Sequence, residues 1–136
     1  MSDAIVLDSS AIVAVLLDEP DAGPIKTALL AAAERWIGAF TALECSVVMT
    51  TRRGMAGQVA FEAMCQRLGI RTVPLTAELV GVARDAWTRF GKGRHPAALN
   101  VGDCCSYALA RHSGFPLLCK GDDFPRTDLP LVPYPG

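Results

Sequence analysis

The chain has 136 residues, with 13 Lys and Arg against 14 Asp and Glu for a formal net charge of −1 at pH 7, and 51% hydrophobic residues. That supply of apolar side chains fits a single domain, 1–136, built round one core, and it excludes a disordered chain. The near-neutral balance excludes a bulk electrostatic affinity for nucleic acid but leaves room for a local basic patch.

No apolar run approaches the ~18–20 residues a membrane span needs. Asp3 stands where a secretory leader would carry basic residues. Cys45, Cys65, Cys104, Cys105 and Cys119 form an odd set with no CxxC pair and no histidine at zinc spacing. Free thiols of this kind suit a reducing, cytoplasmic location.

In chain order, Ala4–Leu7 is a short apolar run that reads as a buried strand, and Asp8-Ser9-Ser10 supplies helix-capping residues for a helix over Ala11–Leu17. Asp18-Glu19-Pro20 stops it, and a second helix is predicted over Ala22–Glu34. Trp36–Phe40 reads as the next strand. Thr41 then caps a helix whose core stripe is Leu43, Val47, Val48 and Thr51, with Gly54 and Gly57 breaking it. Phe61, Met64, Cys65 and Leu68 follow at helical spacing, closed by Gly69.

Ile70–Leu75 is a third strand. Thr76 opens a helix with the stripe Leu79, Ala83, Ala86, Trp87 and Phe90, which assigns Trp87, like Trp36, to the core. Residues 91–96 form a glycine-containing basic loop. Asn100 caps a helix running to about His112, ended by Gly114; Phe115–Lys120 is a fourth strand and Leu131–Val132 a short edge strand. Strands alternating with helices predict an α/β fold with a mostly parallel sheet of four or five strands covered on both faces.

In such a sheet, ligands gather beyond the carboxyl ends of the strands. Asp8 follows the first strand, and Asp122 and Asp123 follow the fourth. Glu44 and Asp103 sit on helices beside otherwise apolar positions. Taken singly, each has a structural explanation: Asp8 and Asp103 suit helix caps, and Asp122-Asp123 suits a turn. Together they repel, by roughly 4 kcal/mol for two charges 4 Å apart at an effective dielectric near 20, unless a cation sits among them. An all-oxygen set selects a hard ion such as Mg²⁺ or Mn²⁺, whose chemistry suits phosphodiester hydrolysis.

The segments Val6-Leu7-Asp8-Ser9-Ser10-Ala11, Ala42-Leu43-Glu44, Gly91-Lys92-Gly93-Arg94-His95-Pro96, Leu99-Asn100-Val101-Gly102-Asp103-Cys104 and Lys120-Gly121-Asp122-Asp123-Phe124 resemble, in order, the PIN-domain toxins of bacterial VapBC toxin–antitoxin pairs. The resemblance implies a three-layer α/β/α sandwich and a Mg²⁺- or Mn²⁺-dependent endoribonuclease acting on tRNA or rRNA. It also implies a VapB-type antitoxin partner, a homodimer and a larger toxin–antitoxin assembly. It places the family's acidic positions on Asp8, Glu44, Asp103 and Asp123, with Asp122 close to or also on the metal. Ser9 and Asn100 take supporting roles.

Lys92, Arg94 and His95, with Arg52 and Arg53 at the end of the Glu44 helix, are the candidate RNA contacts, since Arg and Lys on phosphate position a backbone without reading sequence.

Other chemistries fit less well. A metal-dependent phosphatase wants a second Asp where Ser10 stands, and a receiver-like phospho-acceptor wants its acidic pair after the first strand. A PIN-like RNA- or partner-binding module without turnover would be marked by lost carboxylates, and this chain keeps them.

Overall fold

Strand β1 (Ala4–Leu7) is buried at every residue, because alternate side chains enter two different cores. Ile5 and Leu7 join a cluster with Ile12, Ile25, Leu29, Ile37, Cys45 and Phe61. Val6 faces the opposite way, toward Leu79, Phe90, Leu99, Tyr107 and Leu117. The period-2 pleat thus divides a near-continuous apolar run between two helical layers.

The structure, a computed structural model, describes residues 3–135. Helices α1 (Ser9–Leu16), α2 (Ala22–Ala31) and α3 (Ala39–Leu68) follow β1, with β2 (Glu34–Gly38) between α2 and α3. Then come β3 (Arg71–Val73), α4 (Ala77–Phe90), α5 (Val101–Ser113), β4 (Leu117–Leu118) and a 3₁₀ turn at Phe124–Arg126. The strands lie in the order β3-β2-β1-β4, every pair parallel. The result is the expected α/β/α sandwich on a four-stranded sheet. The anticipated fifth strand is reduced to a single parallel bridge from Leu131 to Leu117.

Several boundaries move for identifiable reasons. Helix α2 stops at Ala31 rather than Glu34, and Glu34 opens β2. Arg35 does this. Its guanidinium donates to the carbonyls of Leu29 and Leu30 at the end of α2 and of Leu68 at the end of α3, so one cation closes two helices whose last carbonyls lack partners.

Thr41 does not cap α3, which begins at Ala39. Its side chain is buried and its hydroxyl contacts Ser106. The core stripe of α3 is Thr41, Cys45 and Met49, whereas Leu43 and Val47 are 62% and 56% exposed. Gly54 does break the helical path, at φ 65° and ψ −156°. Gly57 does not. It lies inside the helix, where a Cβ would strike the Met49 carbonyl and Arg53, so glycine lets the two halves of α3 cross closely.

Among the described residues, no helix is long and apolar enough to cross a membrane.

Candidate active site

The chain runs outward from β1 to β2 to β3 and then returns to place β4 on the other side of β1. The order therefore reverses between β1 and β4, and the carboxyl ends of these two strands border a crevice. Asp8 leaves β1 there, its backbone N–H still donating to the Leu118 carbonyl of β4. Lys120 to Asp123 leave β4 at the same edge.

Asp8 is 2% exposed, and its carboxylate is held from two sides. Oδ2 accepts from the backbone N–H of Ser10 at 3.0 Å and from the Ser10 hydroxyl at 2.6 Å. Oδ1 accepts from the Ser106 hydroxyl of α5 at 2.6 Å. The Ser10 hydroxyl in turn accepts from the Lys120 N–H at 2.9 Å. Asp8 is thus the N-cap of α1 as well as a candidate site carboxylate, and the observed capping role leaves the second open to it.

Helix α5 brings the next carboxylate. Asn100 and Asp103 form a reciprocal capping box, Asp103 N–H to Asn100 Oδ1 at 2.8 Å and Asn100 N–H to Asp103 Oδ2 at 3.0 Å. Asn100 therefore serves the helix end, and through it holds Asp103 still. Burial pushes the Asp103 carboxyl up to about 6; the Asn100 N–H opposes this, while the charges of Asp8 and Asp123 add to it.

Glu44 falls in the second turn of α3, half-buried against α5. Its pKa is raised by burial first and then by the charges of Asp8 and Asp103, with a Ser9 side-chain hydrogen bond working the other way. Its Oε1 is buried and accepts no hydrogen bond. The approach to α5 depends on Gly102, where a Cβ would stand 2.6 Å from Oε2 and 2.8 Å from both Cδ and Oε1. Of the acidic pair, both exposed, Asp123 is the one whose charge reaches Asp103.

The structure therefore places Asp8, Glu44 and Asp103 within reach of one another's charge at the end of the sheet, with Asp123 reaching Asp103. Among the described residues no three acidic, histidine or cysteine side chains close tightly enough to cage an ion. The donor set fits a hard cation: it is all oxygen, and the buried Glu44 Oε1 is an acceptor with nothing to accept from.

The basic candidates divide. Lys92 is exposed on the loop before α5, and Arg94, also exposed, lies with its guanidinium 4.4 Å over the Trp87 ring. Trp87, expected in the core, is 38% exposed beneath it. His95 also fastens its loop: its Nδ1 accepts from the Ala97 N–H at 3.0 Å and its ring meets Phe90 edge-on. Arg52 and Arg53 stand eight and nine residues beyond Glu44 on α3. That is about 12–14 Å at the helical rise, so they are remote from the carboxylates.

Ser10, Ser106, Thr41 and Gly102 are the site residues that sequence reading passed over. Ser106 opens the buried run Ser106-Tyr107-Ala108-Leu109-Ala110 of α5, but nothing local in the sequence ties it to Asp8.

Comparison with known proteins gives the family and the fold. A profile of the PIN domain matches residues 5–129. Ribonuclease VapC30 of Mycobacterium tuberculosis is 42% identical over 130 residues, 96% of this chain and 99% of that protein. Ribonuclease VapC of Mycolicibacterium smegmatis is 42% identical over 127 residues, 93% of this chain and 98% of that one.

Among solved structures, Mycobacterium tuberculosis VapC20, a sarcin-ricin loop cleaving toxin, matches with a TM-score of 0.79 at 20% identity, covering 96% of this chain and 99% of the other. VapBC2 from Rickettsia felis, bound to a promoter DNA fragment, matches with a TM-score of 0.76 at 15% identity, covering 97% and 99%. These two speak for the fold. The chain belongs to the PIN domain family, in its VapC branch.

Proposed function

We propose that this protein is the toxin of a type II toxin–antitoxin pair, a Mg²⁺- or Mn²⁺-dependent endoribonuclease that hydrolyses tRNA or rRNA. The observation that carries the reading is the group Asp8, Glu44, Asp103 and Asp123 at the sheet's switch point, with a buried and unpartnered Glu44 oxygen. The names of its 42%-identical relatives, all ribonucleases, support it.

Asp8, Asp103 and Glu44 would hold the ion together with Asp123, with Asp122 near it. A divalent ion so held supplies water of lowered pKa and offsets charge developing on the phosphoryl group. The residues of the chain do the rest. Ser10 and Ser106 fix the Asp8 carboxylate, the capping box fixes Asp103, and Gly102 admits Glu44. Lys92 and Arg94 place the phosphate backbone along the groove.

The chain acts as one domain, 1–136, in the cytoplasm. A VapB-type antitoxin partners it, in line with the toxin–antitoxin complexes among its structural neighbours, and silences it by covering the acidic groove. The exposed apolar side chains Leu43, Val47 and Val101 favour pairing with a second copy.

Induced expression in a bacterial host, with mapping of new 5′ ends, tests the reading. Growth arrest accompanied by discrete cuts in tRNA or rRNA is expected, relieved when a cognate VapB-type antitoxin is co-expressed. Arrest without new RNA ends would refute it.

A further inference from the structure

We infer that Ser106 is a positioning residue: with Ser10 it leaves the Asp8 carboxylate one free lone pair, on Oδ1, so that Asp8 meets a divalent cation through a single oxygen. The inference rests on the proposed metal site and goes further, to how one ligand is presented.

An ionised carboxylate has about four lone-pair sites and no proton to give. Three of them are occupied here, two on Oδ2 by the N–H and hydroxyl of Ser10 and one on Oδ1 by the Ser106 hydroxyl. Because Ser106 spends its only proton on Asp8, Thr41 must be the donor in the 3.3 Å contact between the Thr41 and Ser106 hydroxyls. The Ser10 hydroxyl is likewise fixed as donor to Asp8 by the Lys120 N–H that it accepts.

Two hydroxyl relays, one from α3 through α5 and one from the end of β4, therefore converge on Asp8. Each has a single possible polarity. Their anchors are buried: Thr41, Ser106 and Asp8 are 0%, 2% and 2% exposed. Burial leaves the Thr41 and Ser106 hydroxyls without water as an alternative partner. Ser106 lies three residues beyond Asp103 on α5, so one turn of one helix carries a ligand and the group that orients another.

The experiment measures Mn²⁺ affinity by calorimetry and by electron paramagnetic resonance, with circular dichroism to verify folding. Ser106→Ala should weaken Mn²⁺ binding about 10–100-fold, the usual cost of removing a hydrogen bond behind a metal ligand. Ser106→Cys, which fills the same space with a weak donor, should weaken it comparably, while Ser106→Thr should stay within about threefold of wild type. In an Asp8→Asn background, Ser106→Ala should add less than about threefold, because the two act as a unit.

Affinity within threefold of wild type for both Ala and Cys variants would overturn the inference while leaving the metal site standing. So would a full additive loss in the Asp8→Asn background. A wild-type protein that binds no Mn²⁺ would overturn the metal reading and the inference with it. Should the Ser106 variants fail to fold, Thr41→Val decides: it keeps the volume but removes the donor behind Ser106. Weakening of about three- to tenfold supports the relay, and unchanged affinity overturns it.

Discussion

Gly102→Ala separates stability from activity. The new methyl would lie 2.6 Å from Glu44 Oε2, against the 3.4 Å at which ordinary contact begins, so the carboxylate must retreat by about 0.8 Å. The atom displaced is the far end of a flexible side chain, so the fold loses little. Gly102 also sits in a helix, where alanine is favoured over glycine by up to about 1 kcal/mol. The thermal midpoint should therefore hold or rise by a few degrees.

A misplacement of about 1 Å at a reacting centre costs on the order of 100-fold. Single-turnover cleavage of a defined RNA should therefore fall about 30–100-fold. Glu44→Asp withdraws the carboxylate by one methylene, so adding Gly102→Ala to it should cost little more than Glu44→Asp alone. Wild-type activity in Gly102→Ala, or a loss of stability that tracks the loss of activity, would refute the proposed cradle.

Asp103 has a carboxyl raised to about 6, so its ionisation opposes folding of the metal-free protein. Its contribution to stability is present below the unfolded value near 4 and is lost as pH rises through about 6. Asp103→Asn, which keeps the oxygen that accepts from Asn100, should raise the metal-free thermal midpoint at pH 7.5 and much less at pH 4.5. Cleavage and Mn²⁺ affinity of the wild type should climb as pH passes about 6.

Asp128 carries a carboxyl held below the usual range: burial pushes against this, but the Tyr107 hydroxyl at 2.6 Å and Arg89 and Arg111 at 3.1 and 2.7 Å prevail. It stabilises the fold above the unfolded pKa, and the contribution disappears as pH falls through the depressed one. With Asp128 41% exposed, Asp128→Ala should cost only about 1 kcal/mol in urea denaturation. Gly57→Ala should cost more, about 1–3 kcal/mol, because its methyl meets the backbone of Met49.

What could be read without coordinates was what is local. The run Ala4–Leu7 followed by Asp8, and the Asn100–Asp103 capping pair, state their strand, cap and edge positions in a few neighbouring residues. The acidic set could be collected because a parallel sheet must present Asp8 and Asp123 at one edge. Ser106 and Gly102 could not be recognised, since their meaning depends on Asp8, 98 positions away, and on Glu44 of another helix.

The stripe Leu43–Val47 was misread because apolar periodicity marks a face to be covered without saying by what. Trp87 was misplaced for the same reason. His95 joins Lys92 and Arg94 as a candidate through its place in the same basic loop, and the sequence does not show that its ring also accepts from the Ala97 N–H and packs on Phe90.

The central claim is that these carboxylates act as one cation-holding site for RNA hydrolysis. It is tested most directly by single-turnover cleavage of bacterial RNA, comparing wild type with Asp8→Asn and Asp103→Asn, each with Mg²⁺ and with excess EDTA. The account predicts cleavage only by wild type with Mg²⁺, with each substitution lowering the rate by at least about 100-fold. Cleavage that persists in EDTA, or that survives both substitutions, would contradict it.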